Sequence, residues 1–481
     1  MTVGPRPVSN HVDDTLAALM RPTRPIASEV GEHAVAAVCD LDHQQVVWVR
    51  LGSRASPQAT GAPEAAVARA AIDDAVAVGL PLVLELCGAT VVPPHPAAAS
   101  DGIAGLDAWG SVAFALAGAS GVVPIIAVVD GPVVTGRALA LGLVDIVVMT
   151  DRALAYVSGP AAVATMTGRR TDHASLGGPR VHTATTGVAH LAATDVDHAF
   201  ALVADLLAHL PPNNAEVPPP LFTSDPVDRR CDTIGEIVPD DARLGYDVRH
   251  VIAEVVDDGD LLELGAEHGR AMVCGLARLG GQPVGIVANQ PAQLAGAIDI
   301  QCSQKAARFV QWCDAFGLPL VTFVDTPGYL PGRDLEWDGM IRYGGQLAFA
   351  YAAATVPRMC VIMRKAYGGA YIVMDAKTMG NDLCVAWPHA EIAVMGAAGA
   401  VQILEARRLA GLPAGDAEAE RRRLEGVYAE RHLHPHEAAS RGFVDAVIEV
   451  GTTREVLCRA LPSLLTKRPP QVVRKHHNGP L

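Results

Sequence analysis

The sequence predicts an α/β protein that contains two copies of one domain. Short apolar runs, typical of buried strands, alternate with longer stretches whose apolar residues recur at helical spacing, as in Ala65–Ala77 and Ser303–Phe316. The segment GLPLV occurs at Gly79–Val83 and again at Gly317–Val321. Alternating strands and helices favour a mainly parallel sheet with helices on its outside.

A second pair of matching segments supports the duplication. Val123-Pro124 and Val356-Pro357 each open an apolar run, and their prolines are 357 − 124 = 233 residues apart. A glycine-bearing turn follows each run, at Thr135-Gly136 in the first half and at Gly368-Gly369 in the second. A single repetition over such a long distance indicates a duplicated domain and not a short solenoid repeat.

Proline-rich segments predict the boundaries between domains. Residues 1–30 are rich in proline and are predicted to form a flexible N-terminal arm. Prolines are also frequent over Pro211–Pro226, where they interrupt both helices and central strands. We therefore predict an N-terminal domain over residues 31–225 and a C-terminal domain over residues 226–481.

The composition excludes several classes of function. The formal net charge is −14 and no block of Lys or Arg would supply the basic surface that neutralises phosphates, which argues against binding to nucleic acid. Nine cysteines without any Cys-x-x-Cys spacing argue against a disulfide framework or a zinc site. Apolar stretches such as Gly121–Val129 are too short to span a membrane, and Met1–Asn10 lacks the apolar core of a signal peptide. We expect a cytoplasmic protein.

The histidines of His432–His436 lie close together in the sequence and are candidate metal ligands. Pro435 lies within this run and favours a loop over a helix that presents the histidines on one face. We therefore expect no metal site.

The segment most informative about chemistry is Arg364–Tyr371, which reads RKAYGGAY and lies between a predicted strand and a predicted helix. Its glycines allow a sharp bend that exposes backbone N–H groups. Two such groups directed at one point form an oxyanion hole. The same spacing also fits a tight turn that packs closely, and the residues alone leave both interpretations open.

Residues Val284–Gly399 resemble the C-terminal domain of the carboxyltransferase (β) subunits of biotin-dependent acyl-CoA carboxylases, especially the propionyl-CoA carboxylase β type. The resemblance implies tandem duplicated crotonase/ClpP-like ββα-superhelix domains, and a weaker likeness extends through the N-terminal half. The matching motifs are Pro283–Pro291, Lys305–Phe309, Val324–Gly332, Lys365–Tyr371 and Ala393–Ala400.

By this resemblance the chain moves a carboxyl group from carboxybiotin to the α-carbon of an acetyl- or propionyl-CoA thioester. The N–H groups of Gly369 and Ala370 would bind the biotin oxygen, and those of Thr135 and Gly136, from the opposing subunit, would bind the thioester oxygen. The further residues that the resemblance assigns to substrate binding are Gly368, Tyr371, Ile372, Gly396 and Ala397.

The resemblance also implies partners and cofactors. Biotin would be carried by a partner with a biotin carboxylase and a biotin carrier, because the chain has no Met-Lys-Met-type attachment motif. Coenzyme A would enter as the thioester substrate. The family forms dimers within a hexamer, so a homo-oligomer is expected. An apolar residue at Ile372 is associated in the family with acetyl-CoA or mixed short-chain use.

The N-terminal half departs from the family in two places. The family has an Asp-Ser-Gly-Gly-Ala-Arg run where this chain has Leu86–Thr90, and a Gly-Gly pair where this chain has Thr135-Gly136. A β-branched residue resists positive φ and crowds a ligand at the turn. These departures leave two alternatives open, namely a biotin-independent malonyl- or methylmalonyl-CoA decarboxylase or transcarboxylase, and a non-catalytic β-like subunit that assembles rings.

Overall fold

The structure is a computed structural model that describes residues 20–28, 33–53, 61–88, 102–468, 476 and 478–480. The chain divides into two compact units, Met1–Pro219 and Pro220–Leu481. The division lies within the predicted linker and a few residues before the predicted boundary at residues 225 and 226. No helix in the described ranges is both long enough and apolar enough to cross a membrane.

The first unit contains nine strands and seven helices in its described part. The strands are β1 Met20–Ser28, β2 Ala34–Leu41, β3 Gln44–Leu51, β4 Leu82–Cys87, β5 Ile125–Asp130, β6 Pro132–Val134, β7 Ile146–Thr150, β8 Leu154–Tyr156 and β9 Leu191–Ala193. The helices are α1 Ala62–Val78, α2 Gly102–Ala119, α3 Gly136–Ala140, α4 Pro160–Thr167, α5 His173–Gly177, α6 Pro179–Val181 and α7 Val196–Leu207, with a π-helical turn at His182–Thr186.

Seven of these strands form one sheet in the order β1-β2-β3-β4-β5-β7-β9, and β6 pairs with β8. The strands from β3 to β9 run parallel, whereas β1, β2 and β3 are antiparallel. Asp42 and His43 join β2 to β3 with φ of 44° and 68°, as a two-residue type I′ hairpin requires. The prediction of a flexible arm over residues 1–30 is wrong for Met20–Ser28, which form the edge strand β1.

The second unit contains eight strands and eleven helices in its described part. The strands are β10 Leu261–Glu263, β11 Met272–Leu279, β12 Gln282–Asn289, β13 Leu320–Thr326, β14 Arg358–Tyr367, β15 Leu383–Ala386, β16 Glu391–Ala393 and β17 Ala446–Val447. The helices are α8 Ile234–Ile237, α9 Val248–Val255, α10 Ile300–Ala315, α11 Arg333–Trp337, α12 Met340–Ala353, α13 Gly368–Val373, α14 Ala397–Leu404, α15 Ala406–Ala410, α16 Ala414–His432, α17 Pro435–Ser440 and α18 Thr453–Leu464.

The sheet of the second unit repeats the plan of the first. Its order is β10-β11-β12-β13-β14-β15-β17, with β16 paired to β14. The pairs β10–β11 and β11–β12 are antiparallel, and the remaining pairs are parallel. Gly280 and Gly281 form the two-residue turn between β11 and β12, both at positive φ.

Matching hydrogen bonds define the correspondence between the two units. Leu82 N donates to Pro124 O at 2.8 Å, and Leu320 N donates to Pro357 O at 2.9 Å. Each bond joins the starts of two adjacent parallel strands in its own unit, so the repeated prolines mark equivalent positions in the two sheets. The predicted duplication and α/β fold class are confirmed.

The two helices predicted from the sequence correspond to α1 and α10, and capping residues lie at their termini. Pro63 lies in the first turn of α1, and Gly79 follows its end with φ of 69°. Asp299 precedes α10 and accepts a hydrogen bond from Cys302 N. Both helices bury their apolar faces and so lie on the outside of a sheet core made of Val, Ile and Leu.

Candidate functional site

The bend after β14, which we call the C-terminal bend, consists of Gly368, Gly369 and Ala370. Gly368 has φ of +60°, a value that favours glycine, and it lets the chain turn directly from β14 into α13. Gly369 and Ala370 occupy the first turn of α13, where backbone N–H groups have no intrahelical acceptor. Neither N–H donates to another described residue. The bend therefore presents two adjacent unused donors.

Neighbouring segments leave little free space around the C-terminal bend. A Cβ added to Gly369 would lie 3.6 Å from Cε2 of Tyr329, and one added to Gly368 would lie 3.2 Å from the carbonyl oxygen of Val394. Pairing of Tyr367 with Ala393 brings the segment before α14 to this bend. The ring of Tyr367 also packs on Gly396, where a Cβ would lie 3.0 Å from it.

The predicted substrate residues Gly396 and Ala397 form the start of α14, with Gly396 as its N-cap. The structure brings the segment that contains them next to Gly368. Tyr371 and Ile372 lie within α13. The Tyr371 hydroxyl is buried without a hydrogen-bond partner among the described residues, and Ile372 is half exposed. Burial raises the pKa of Tyr371, so the hydroxyl remains a proton donor.

A buried ionic cluster fixes the strand ends that carry the C-terminal bend. Asp325, at the end of β13, accepts hydrogen bonds from Tyr246 Oη at 2.9 Å, Arg364 Nε at 3.0 Å and Lys365 N at 3.1 Å. The guanidinium of Arg364 also donates to the carbonyl oxygens of Pro239, Asp241 and Leu244. This buried cation is therefore both neutralised and hydrogen-bonded, as burial of charge requires.

Burial changes the titration of groups in this cluster. It raises the pKa of Tyr246, and the neighbouring Asp325 carboxylate adds to that effect. It lowers the pKa of Lys365, whose Nζ donates to Ala242 O at 3.0 Å. It also raises the pKa of Tyr329 to about 12. The raised pKa values keep the hydroxyls of Tyr246 and Tyr329 protonated near neutral pH, so both remain hydrogen-bond donors.

The corresponding bend of the first unit, which we call the N-terminal bend, consists of Thr135, Gly136 and Arg137. Thr135 has φ of 60° and ψ of −131°, which are close to the values of the first central residue of a type II′ turn. Glycine is the residue that favours this conformation, so Thr135 is strained there. Its N–H donates to Tyr156 O at 3.1 Å.

The Thr135 N–H, which the resemblance assigns to the thioester oxygen, donates within the chain instead. The distance of 233 residues between matched prolines also applies to the bends, since 369 − 136 = 233 and 370 − 137 = 233. The counterparts of Gly369 and Ala370 are therefore Gly136 and Arg137, and the counterpart of Gly368 is Thr135. Gly136 and Arg137 lie in the first turn of α3, and neither N–H donates to a described residue.

Arg137 was missed by sequence reasoning. The signal that identifies it was available, because the proline correspondence assigns Arg137 to the position of Ala370. Its burial was not available, since it depends on the distant residues Leu51 and Trp109. Arg137 Nη2 donates to Leu51 O at 2.9 Å, and its Cζ lies 5.9 Å from the centre of the Trp109 ring.

Gly159 and Gly177, two glycines of the N-terminal half, pack against β8, the strand whose residue Tyr156 accepts the hydrogen bond from Thr135 N–H. A Cβ on Gly177 would lie 2.0 Å from Ala155 O, and one on Gly159 would lie 3.4 Å from the Tyr156 ring. His182 Nε2 is 2.8 Å from Ala155 O. Gly159, Gly177 and His182 therefore pack around β8. Of the divergent segment Leu86–Thr90, residues 89 and 90 lie outside the described residues.

No group of three or more His, Cys, Asp or Glu that could bind a metal occurs in the part of the chain that the structure describes. His434 precedes α17 and Pro435 is its first residue, so the histidine run spans the junction between two helices.

Comparison with known proteins identifies the family of this chain. Residues 96–479 match the carboxyl transferase domain family. The chain belongs to the carboxyl transferase domain family. The predicted family, the carboxyltransferase activity and the classification as an enzyme are confirmed.

Named relatives of this carboxyl transferase cover most of its length. The propionyl-CoA carboxylase beta chain of Saccharopolyspora erythraea is 44% identical over 393 residues, which are 79% of this chain and 72% of the relative. The biotin-dependent acetyl-/propionyl-coenzyme A carboxylase beta5 subunit of Mycobacterium tuberculosis is 43% identical over 376 residues, which are 76% of this chain and 68% of the relative.

A solved structure also resembles this carboxyl transferase closely. Transcarboxylase 12S, described as a hexamer with hydrolysed methylmalonyl-coenzyme A bound, has a TM-score of 0.89 and 34% identity. The comparison covers 98% of this chain and 94% of that one. The tandem crotonase-like fold predicted from the sequence is confirmed.

Proposed function

We propose that this carboxyl transferase moves a carboxyl group between biotin, carried on a partner protein, and the α-carbon of a short acyl-CoA. The observation that carries the proposal is the pair of unused donors at Gly369 and Ala370 in a member of this family. Negative charge develops on oxygen during the transfer, and fixed backbone N–H groups stabilise such charge without reorganisation.

The C-terminal bend is the half-site that accepts biotin. When bound there, the biotin group would supply the carboxyl group and the base for the substrate α-proton. Gly369 and Ala370 N–H bind the ureido oxygen, and the buried Tyr371 hydroxyl is a further donor without a partner in the described chain. The donor set therefore fits a polar, uncharged ring that becomes negative during the reaction.

The N-terminal bend is the half-site that accepts the acyl thioester. The amended donor pair, Gly136 and Arg137 N–H, binds the thioester oxygen as it becomes an enolate. Thr135 holds the positive φ that exposes both amides, and its own N–H is held by Tyr156. The two half-sites that cooperate come from different protomers of a homo-oligomer, of the hexameric kind described for transcarboxylase 12S.

The acyl chain that this site prefers is short. Ile372 is 48% exposed on α13, directly after Tyr371, and it is the position that the family resemblance assigns to the acyl pocket. An apolar residue there favours acetyl-CoA or mixed acetyl and propionyl use. The preference is weak, since one methylene contributes about 1–3 kcal/mol in such a pocket. The partner contains a biotin carboxylase and a biotin carrier, and the assembly works in the cytoplasm.

A reverse-transfer assay with free biocytin tests the proposal without the partner. The full chain is incubated with malonyl-CoA or methylmalonyl-CoA, with and without biocytin, and loss of the carboxyl group from the acyl-CoA is followed. The proposal predicts loss that depends on biocytin. Equal loss without biocytin would instead identify a biotin-independent decarboxylase, and no loss under either condition would support a non-catalytic subunit.

A further inference from the structure

Four arginines of the described chain are buried, and three of them have a carboxylate partner. Arg364 pairs with Asp325, Arg454 pairs with Asp257 and Arg358 pairs with Asp375. Arg137 is the fourth, with 7% of its surface exposed, and it forms no ion pair in any described range. A buried guanidinium without a counter-charge is costly, and proteins keep one where a ligand supplies the charge.

The hydrogen-bonding capacity of Arg137 is also largely unused. Its guanidinium carries five N–H groups, and the one bond that it forms with the described residues goes from Nη2 to Leu51 O. Nε is buried and has no acceptor among the described residues. By comparison, Arg364 donates to Asp325 and to three carbonyl oxygens. The difference leaves a planar fork of donors available, which matches the geometry of a carboxylate.

The guanidinium lies at the edge of the sheet where ligands bind in α/β folds. Leu51 is the last residue of β3, and a Cβ on the adjacent Gly52 would lie 3.5 Å from Arg137 Nη2 and 2.1 Å from Cys87 O, at the end of β4. Ligands of α/β proteins are bound outside the carboxyl ends of parallel strands. Arg137 therefore faces this edge from the bend itself.

Trp109 connects the guanidinium to the proposed acyl half-site. A Cβ added to Gly136 would lie 3.7 Å from Trp109 Cβ, and the Arg137 guanidinium lies over the ring of the same residue. The unused Gly136 N–H and the unpaired charge of Arg137 thus share one neighbour. In a CoA thioester the acyl group is bonded to the carbonyl carbon, whereas the nucleotide lies at the far end of the pantetheine arm. A thioester oxygen at Gly136 therefore places the acyl group closer to Trp109 than the nucleotide.

We infer that the Arg137 guanidinium binds a carboxylate on the acyl group, so that this chain binds carboxylated acyl-CoA more tightly than the uncarboxylated form. The inference rests on the proposed function for the location of the thioester. It makes Arg137 a specificity-determining residue of the N-terminal bend. It also favours reactions that start from a malonyl-type thioester, because its carboxylate supplies the missing counter-charge.

Calorimetric binding of CoA thioesters to the full chain tests this inference. The ligands are methylmalonyl-CoA, succinyl-CoA, propionyl-CoA and free CoA, and the variants are Arg137→Gln and Arg137→Lys. Arg137→Gln retains a donor for Leu51 O and similar volume, so it preserves the fold while it removes the charge. The matched control is Arg69→Gln, since Arg69 is an arginine of the same unit that pairs with Asp73 at the surface.

The expected result is at least a roughly tenfold weaker affinity of Arg137→Gln for methylmalonyl-CoA, with propionyl-CoA and free CoA unchanged, because a charged hydrogen bond is lost. A larger loss for succinyl-CoA than for methylmalonyl-CoA would assign the carboxylate to the distal end of a longer acyl group. Equal losses for all four ligands, as for a contact with the CoA phosphates, would overturn the inference, and so would no loss at all.

Kinetics in the biocytin assay separate this inference from the proposed function. Arg137→Gln is expected to raise KM for methylmalonyl-CoA with a smaller effect on kcat, and Arg137→Lys to restore part of the affinity. If the wild-type chain binds methylmalonyl-CoA in an Arg137-dependent manner but transfers nothing to biocytin, the inference stands and the proposed function fails. If biocytin-dependent transfer occurs with unchanged KM in Arg137→Gln, the proposed function stands and the inference fails.

Discussion

The two bends share a backbone conformation and differ in the side chains that occupy it. Gly368 and Thr135 both have φ of about +60°, and each is followed by two N–H groups without an acceptor in the described chain. The C-terminal bend has glycine and alanine at these donor positions, whereas the N-terminal bend has glycine and arginine. The duplication thus preserved the backbone conformation of the bend, while the side chains at its donor positions diverged.

The residues at the strand ends beside the two bends also differ between the units. The second unit places Asp325 at the end of β13, where it neutralises Arg364. The matching position of the first unit is Cys87, since 325 − 87 = 238 is the separation of Leu82 and Leu320, which start the two strands. The second unit therefore supplies its own counter-charge to a buried arginine, whereas Arg137 in the first unit has none in the described chain.

The largest expected effect is a loss of stability when Asp325, the counter-charge of Arg364 in the second unit, is removed. Asp325→Ala should lower the free energy of unfolding by about 3–5 kcal/mol, because it leaves the buried Arg364 unpaired. Asp325→Asn should cost less, since it retains part of the hydrogen bonding. Arg137→Gln should be neutral or stabilising in the ligand-free chain. Chemical denaturation measures the free energy of unfolding of all three variants. A decrease for Arg137→Gln as large as that for Asp325→Ala would contradict the proposed difference between the two buried arginines.

The next effect concerns the amended donor pair of the N-terminal bend. Gly136→Pro removes one N–H at the first position of a helix, where proline is tolerated, whereas Gly136→Ala adds a methyl group and retains the N–H. We expect about 10²–10³-fold lower kcat for Gly136→Pro, and little change for Gly136→Ala, whose Cβ would lie 3.7 Å from Trp109. Equal activities of the two variants in the biocytin assay would show that this amide is not used.

The smallest effect is expected at Thr135. Thr135→Gly should raise the free energy of unfolding by about 1 kcal/mol, since relief of the strained conformation exceeds the entropy that glycine adds to the unfolded chain. Thr135→Ala keeps a Cβ at positive φ and should give no such gain. Thermal denaturation distinguishes the two variants. A destabilised Thr135→Gly would indicate that the Thr135 side chain stabilises the turn more than its conformation costs.

Local sequence patterns were sufficient to predict the helices, the parallel strands and the C-terminal bend. The edge strand β1 was missed because Pro22 and Pro25 argue against a strand, yet prolines are compatible with an edge, and register shifts follow Pro22 and Pro25. The antiparallel hairpins were also missed, although Gly280-Gly281 is a strong signal for a two-residue turn. For the hairpins, the hydrophobic pattern of the strands was present and the signal from the turn residues was not used.

The sites required information at longer range. The family resemblance assigns Thr135 and Gly136 as donors, whereas the proline spacing matches Gly136 and Arg137 to Gly369 and Ala370. The hydrogen bond from Thr135 N to Tyr156 O joins residues that are distant from any shared motif. The lack of a carboxylate partner for Arg137 among the described residues depends on which residues surround it in the fold, and no local pattern encodes that.

The most direct test of the account compares Gly369→Pro with Gly369→Ala in biocytin-dependent transfer. Both variants add carbon beside Tyr329, where a Cβ at Gly369 would lie 3.6 Å from the ring, but only proline removes the N–H. The account predicts about 10²–10³-fold lower kcat for Gly369→Pro and nearly normal kcat for Gly369→Ala. Wild-type kcat in a correctly folded Gly369→Pro variant would contradict it.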